Sequence, residues 1–207
     1  MIKYRNSGII GILALGISLL AFISSMRSCS IASKSLNLSI EQFQREQLVV
    51  WDVIVNKDND EMLIKPTTDE ITLQGATLYY PPELNVSECM ATPPSYSIST
   101  YRISLAIGDH LRKSYPKYKN KYLVGVDSVI PIVIDSRYTT KGKLFFEKAT
   151  YFLRYEFVLS DENGNIPLVK VIGLAFVGRL SYDTDPCIYL QELWRANKGF
   201  IKSAENE

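Results

Sequence analysis

The chain has 207 residues, enough for one ordinary domain and an appendage. Its 23 basic and 22 acidic residues nearly cancel, so it has no global electrostatic footprint for nucleic acid, and nucleic acid is disfavoured as a partner. Three widely spaced cysteines and one histidine exclude a disulfide scaffold and argue against zinc sites, so no cofactor is expected.

The first predicted element is a transmembrane helix at residues 8–26, preceded by a short tail at residues 1–7. Between Arg5 and Arg27 lie 21 uncharged residues, most of them apolar. At a rise of about 1.5 Å per residue, roughly 20 residues cross a hydrocarbon core about 30 Å thick. The sequence therefore predicts a single-pass protein of the cell membrane, with the lipid bilayer as a partner.

A cleaved signal peptide is the competing interpretation of this segment. Its basic n-region would be Lys3 and Arg5, and Ser30-Ile31-Ala32 resembles a cleavage site. The apolar run is at the upper length of such peptides, and Arg27 separates it from the cut, which favours an uncleaved anchor. A lipoprotein is disfavoured, because Met26-Arg27-Ser28 precedes Cys29 where small and apolar residues are required.

The side of the membrane on which the following domain lies is left open by the flanking charges. Lys3 and Arg5 precede the apolar run, and Arg27 and Lys34 follow it. The positive-inside rule therefore gives only a slight preference for an exported domain.

Residues 27–47 are predicted to form a helical stalk, because no proline or glycine occurs between Gly16 and Pro66. Small residues recur along anchor and stalk at alternating spacings of three and four. This small-residue seam consists of Gly11, Ala14, Ser18, Ala21, Ser25, Ser28, Ala32, Ser35 and Ser39.

Small residues let helix backbones approach closely in a bilayer, so the seam predicts self-association. Beyond the bilayer, Leu36, Ile40 and Phe43 form a short apolar stripe that suits a coiled coil or packing against the domain. The alternative explanation is that glycine, alanine and serine are simply abundant here.

The stretch from Ile31 to Ser39, leading into Glu41-Gln42-Phe43-Gln44-Arg45-Glu46, resembles the juxtamembrane helix of many small uncharacterised bacterial proteins. In those proteins one or more membrane spans precede a β-rich domain. The resemblance covers about the first 50 residues and implies a membrane-anchored protein with a helical stalk. It carries no catalytic residues, and it implies a cytoplasmic domain, against the preference given by the charges.

Residues 48–207 are predicted to form a mainly antiparallel β domain, either sandwich-like or α+β, with a C-terminal helix. β-Branched and aromatic runs punctuated by turn residues predict its strands. The predicted strands cover residues 48–55, 62–65, 70–80, 122–134, 147–159 and 168–177, with an interruption at Pro131 that suits an edge or a bulge.

The clearest strand is 147–159, in which apolar residues alternate with polar ones. Ala149, Tyr151 and Leu153 share one face with three further apolar residues, while Lys148 and Thr150 lie on the other. This period of two predicts one buried and one mostly wet face. The Asn-Gly turn at residues 163–164 then predicts a hairpin with strand 168–177.

Two helices are predicted in the domain. Residues 100–114 place Ile103, Ile107 and Leu111 on one face, and Tyr115-Pro116 ends the helix. Asp185 followed by Pro186 is typical of an N-cap and a first helical turn, and predicts a C-terminal helix at 186–199.

No motif in the sequence indicates a candidate catalytic residue. The only histidine, His110, has the position of a packing residue beside Leu111, and helical geometry turns it away from Asp109. Gly173 to Gly178 has the outer spacing of a phosphate loop but lacks its lysine, which indicates sheet features such as a bulge or close backbone packing.

The sequence also contains an acidic turn, two cysteines in the predicted β domain, and a basic and aromatic cluster. Asp58, Asp60 and Glu61 fit a solvated turn better than a calcium loop. Cys89 and Cys187 can pair in an oxidising compartment or stay free in a reducing one. The one local basic and aromatic cluster is a candidate partner surface, although a solvated loop explains it too: Arg112, Lys113, Tyr115, Lys117, Tyr118 and Lys119.

Three functions are compatible with these features. The first is a membrane-tethered binding or assembly module that self-associates through its helix and presents the β domain to another protein. The second is a membrane-acting effector in defence or toxicity, whose oligomerised helices perturb the bilayer. The third is an enzyme with an unrecognised Asp, Glu, Lys or Tyr site. The missing motifs favour a protein that is not an enzyme.

Overall fold

The structure is a computed structural model that describes residues 16, 25–28, 31–36, 38, 48–56, 60–115, 123–159 and 167–196. The chain divides into two compact units, Met1–Leu48 and Val49–Glu207. In the first unit, every described residue before Leu48 is helical and exposed. The predicted span at 8–26 lies outside the described residues, apart from Gly16, Ser25 and Met26. None of the helices formed by the described residues combines the length and the apolarity of a membrane span.

The second unit is mainly antiparallel β, as the sequence predicts. In its described part the strands are β1 (Trp51–Asn56), β2 (Glu61–Pro66), β3 (Ile71–Tyr79), β4 (Cys89–Ala91), β5 (Ser97–Ser99), β6 (Leu123–Thr140), β7 (Lys143–Leu159) and β8 (Leu168–Arg179). A short 3-10 helix spans Pro82–Leu84, and the α-helices are α1 (Tyr101–Ser114) and α2 (Pro186–Ala196).

The strands form two sheets with antiparallel pairing throughout. The small sheet has the order β1-β2-β5, and the large sheet has the order β4-β3-β6-β7-β8. The predicted hairpin of β7 and β8 is confirmed, although its Asn-Gly turn lies outside the described residues. The large sheet therefore follows the chain from β6 to β8, with β3 and β4 added at the β6 side.

The hydrophobic core lies between the two sheets. Alternation along β7 puts Tyr151, Leu153 and Tyr155 on the inner face, each completely buried. Trp51 of β1 meets Tyr138 of β6 edge to face, with ring centroids 5.8 Å apart. Burying each side chain of this kind contributes about 1.5–3 kcal/mol relative to exposing it.

Strand β6 is longer than the sequence indicates. It continues past Ile134 to Thr140, and Lys141 and Gly142, both at positive φ, turn it directly into β7. The strand is not interrupted at Pro131, but the edge position predicted for this proline is confirmed. Pairing with β3 ends at Val133, so Pro131 faces β7 alone and has no ladder bond to lose on its other side. The irregularity lies instead at the bulge between Gly125 and Ser128.

Both predicted helices of the domain form. Helix α1 follows Thr100 and ends at Ser114, with Ile103, Ile107 and Leu111 on its buried face. In α2, the Asp185 carboxylate accepts hydrogen bonds from the amides of Cys187 and Ile188, at 2.8 and 3.0 Å, as an N-cap should. Helix α2 is described as far as Ala196, and the predicted residues 197–199 lie outside the described part.

The outer face of β7 is less exposed to solvent than the alternation of apolar and polar residues predicts. Lys148 and Thr150 are buried there, as is Val133 on the neighbouring strand. The reason is α2, which packs against β6 on this face with its buried Leu190, while the residues leading into α2 cover Lys148. The prediction of a mostly solvated face is therefore wrong at these positions.

Candidate functional site

An open groove with a volume of about 450 Å³ runs beside α1. The helix forms one wall, and residues 83–87, which follow the Pro81-Pro82 turn, form the other. The helical residues that line it recur every three or four positions and therefore share one stripe. They are Arg102, Leu105, Ala106, Asp109, His110 and Lys113.

Both walls are held in place by packing. On the helix, Ile103, Ile107 and Leu111 are completely buried on the face away from the groove stripe. A side chain at Gly108 would come within 3.5 Å of Pro167, so α1 lies close to the start of β8. On the opposite wall, Leu84 is buried in the core. Both walls of the groove are thus anchored in the core of the domain.

His110 lies half-buried on the groove stripe. Its ring packs edge to face on Trp194 of α2, with centroids 5.3 Å apart. Burial lowers the pKa of His110, nearby Lys113 lowers it further, and Glu83 opposes both. The neutral form of the imidazole is therefore favoured, and its ring packs α1 against α2, in keeping with the packing role that the sequence suggests.

The acidic neighbour of His110 has another partner. Arg112 donates from Nη2 to Oδ1 of Asp109 at 3.0 Å, and both side chains are largely exposed. This i,i+3 pair occupies the Asp109 carboxylate along the helix. Arg102 and Lys113, by contrast, have no ion-pair partner among the described residues.

A second polar cluster is buried on the large sheet, where it contacts the first residues of the domain. Glu147 of β7, with 7% of its side chain exposed, lies 3.2 Å from Nε of Arg179 and accepts a 3.4 Å hydrogen bond from the Tyr138 hydroxyl. Burial raises the pKa of Glu147, and the attraction of Arg179 and a hydrogen bond from the Val49 amide oppose that rise. Burial and Glu147 together raise the pKa of Tyr138 to about 12.

This cluster, with two neighbouring hydrogen bonds, fixes the first residues of the domain. Arg179 donates to the Val49 carbonyl at 3.2 Å. The Trp51 amide donates to the Tyr151 hydroxyl, and the Trp51 indole donates to Ser136 Oγ, both at 3.0 Å. We call this group the entry clamp, because it ties the chain entering β1 to the inner face of the large sheet.

Comparison with family models, with curated proteins and with solved structures finds no match. The groove and the entry clamp are therefore interpreted from their own chemistry. The clamp is mostly buried, and its hydrogen bonds hold the backbone of Val49 and the backbone and indole of Trp51. Oε1 of Glu147 has the ion pair with Arg179 but no hydrogen bond within the described structure. The groove is open and carries cations with no ion-pair partner in the described structure, so it is the candidate functional site.

The predicted partner surface is only partly described. Lys113 lines the groove, Arg112 pairs with Asp109, and Tyr115 is half-buried against the core. The remaining predicted members, Lys117, Tyr118 and Lys119, lie outside the described residues. Sequence reasoning missed Arg102 and the wall at 83–87, although the spacing of Arg102 from Lys113 fits a single helical stripe.

The predicted self-association seam lies mostly outside the described residues. Its described members are helical and exposed, and they are Ser25, Ser28, Ala32 and Ser35. The members that fall outside are Gly11, Ala14, Ser18, Ala21 and Ser39.

The two described cysteines do not form a disulfide. Cys89 and Cys187 are both free, and Cys89 lies against the buried hydroxyl of Tyr80.

The glycines of β8 lie at irregularities of the sheet. Gly173 and Gly178 each adjoin a register shift between β7 and β8, which confirms the bulge interpretation. Among the residues that the structure describes, none lies within 4 Å of a side chain added at either glycine, so close backbone packing is not their role there.

The acidic turn before β2 is held in place by hydrogen bonds. Asp60 has a positive φ, and its carbonyl accepts from both the amide and the hydroxyl of Thr100. Glu61 begins β2, and Asp58 lies outside the described residues. The turn thus ties the loop before β2 to the start of α1.

Proposed function

We propose that the chain is a membrane-tethered binding module. The apolar segment at 8–26 lodges in the bilayer, the small-residue seam lets copies associate, and the β domain presents the groove beside α1 to another protein. The observation that carries the proposal is the open groove with two cations, Arg102 and Lys113, that have no ion-pair partner in the described structure.

The groove suits a protein partner better than a small metabolite. Small-molecule sites are concave and enclose most of the ligand. This groove is open and has an apolar patch, where Leu105 is 48% exposed, among charged and polar side chains. An apolar patch surrounded by polar residues is the usual arrangement of a protein interface.

The tether is tested by extracting native membranes that contain the full-length chain with alkaline carbonate. An anchored chain stays in the pellet, because about 20 apolar residues hold it in lipid. Recovery of the mature full-length chain in the supernatant would contradict the anchor.

The binding surface is tested by placing a photo-crosslinking amino acid at Leu105 in the full-length chain in native membranes. The matched control position is Leu144 on β7, which is 53% exposed and lies away from the groove. We expect one discrete adduct from position 105 and none from 144, with a protein that recovers this chain when it is itself tagged. Equal adducts from both positions, or none from 105, would contradict the proposal.

A further inference from the structure

We propose that the groove binds an extended acidic segment of the partner, with two carboxylates about five residues apart. The proposal rests on the proposed function, because it names the chemistry that the same groove selects. The charges along α1 and their spacing determine which ligand the groove can select.

The two cations lie on one stripe of one helix. Arg102 and Lys113 are eleven positions apart, which is about 16 Å along the axis at 1.5 Å per residue. The other charged side chains that line the groove do not neutralise both Arg102 and Lys113. Asp109 is occupied by Arg112, burial disfavours the charged form of His110, and Glu83, the other acidic side chain lining the groove, lies near His110 on the Lys113 side. The groove therefore has a cation on each side, and Arg102 is the less opposed of the two.

The spacing selects the shape of the ligand. An extended peptide advances about 3.3 Å per residue, so residues i and i+5 are roughly 16 Å apart and can meet both cations. Between the cations lie Leu105 and Ala106, which offer an apolar surface on the Arg102 side, and then His110 and the Asp109–Arg112 pair on the Lys113 side. Charge pairing at the two ends then fixes the register of the peptide.

The same charges disfavour a polyanion such as single-stranded nucleic acid. Its phosphates recur at every nucleotide, so some would fall between the two cations. There they would lie against Leu105 and Ala106, which offer no partner to a phosphate. A segment with carboxylates only at its ends places no charge against these side chains.

The experiment titrates full-length protein carrying Trp51→Phe, in detergent, with synthetic peptides and follows the fluorescence of the remaining Trp194, whose ring contacts His110. The main probe is a six-residue peptide with aspartate at both ends and alanine, leucine and serine between them. One control has asparagine at both ends. A second control has the same two aspartates separated by one residue, so its charge is equal and its spacing is wrong.

Variants of the groove test the same contacts from the protein side. Arg102→Glu and Lys113→Glu should each weaken binding of the main probe about fivefold, because an exposed ion pair contributes up to about a factor of five. Lys143→Glu is the control, since it makes the same charge change on an exposed residue at the start of β7, away from the groove. The double variant Arg102→Glu, Lys113→Glu should instead prefer a peptide with lysine at both ends.

The outcomes separate this inference from the proposed function. Preference for the five-residue spacing, lost in the groove variants and reversed by the charge swap, supports the inference. Equal binding of all peptides, equal effects of Lys143→Glu, or no binding of the main probe overturns it. A specific crosslink from Leu105 would in that case still support a partner in the groove, but one of different chemistry.

Discussion

At Gly125, strand β6 passes so close to Phe157 that a side chain has no space. A Cβ atom there would be 2.0 Å from Cε1 of Phe157, which is itself buried. We expect Gly125→Ala to lower the free energy of unfolding by about 3 kcal/mol, because the ring must move inside a packed core. Chemical denaturation measures this change.

Gly173→Ala is the matched control for that substitution. It adds the same methyl group in strand β8, where nothing lies within 4 Å of the new atom. A change of at most about 0.5 kcal/mol is expected. Equal losses in the two variants would show that the contact with Phe157 is not the cause.

Glu147 in the entry clamp should make the stability depend on pH. Burial raises its folded-state pKa, so between its ordinary pKa and the raised value the folded protein binds more protons than the unfolded chain. The contribution of Glu147 to stability is therefore full below its ordinary pKa and is lost as pH rises through the raised pKa.

Glu147→Gln removes this titration and isolates it from that of the other carboxylates. The free energy of unfolding of the native chain, minus that of the variant, should fall as pH rises through this window and then stay constant. Denaturation curves measured at a series of pH values give the difference. A difference that is flat with pH would contradict the assignment.

At the scale of elements, Lys148 holds α2 on the outer face of the large sheet. Its Nζ donates to the carbonyls of Tyr182 and Thr184, both at 2.9 Å, just before the helix begins. Lys148→Met keeps an apolar stem but removes both donors, so two carbonyls lose their partner. We expect a loss of about 2 kcal/mol and faster amide exchange in α2 than in β7.

The control for Lys148→Met is Lys170→Met. Lys170 is exposed on β8 and should tolerate the change. Uniformly faster exchange throughout the domain would indicate general destabilisation instead of release of α2.

Elements with strong local signals could be predicted from the sequence. The alternation of β7 and the Asp185-Pro186 start of α2 are confirmed by the structure. The second half of β6 was missed, because its buried positions include Ser136 and Thr140, which hide the alternation, and because its turn is Lys-Gly, not Asn-Gly. Strands β4 and β5 have three residues each and are defined by their partners.

The candidate site was predicted only in part, for a related reason. The helical wall follows from local spacing, which is why Lys113 could be named. The opposite wall at 83–87 meets α1 only in three dimensions, and no local pattern indicates it. The burial of Glu147 in the entry clamp could have been predicted from the sequence. Side chains two positions apart in a strand lie on the same face, so Glu147 shares the buried face with Ala149 and Tyr151.

At the scale of the whole molecule, the proposed self-association depends on the seam. Cys29 lies one residue from Ser28, so in a chain with Cys89→Ser and Cys187→Ser it is the one thiol left to report contact between copies. We expect oxidation of native membranes to give a disulfide-linked dimer, because small residues let the helices approach closely. A purely monomeric pattern would contradict self-association.

Two matched substitutions show whether that dimer depends on the seam. Ser18→Leu puts a bulky side chain on the seam and should lower the dimer yield severalfold, because it prevents close approach of the backbones. Ser24→Leu makes the same change beside the seam and should leave the yield nearly unchanged. If both reduce it equally, the helices meet through another face, and association then depends on apolar packing in general instead of on the pattern of small residues.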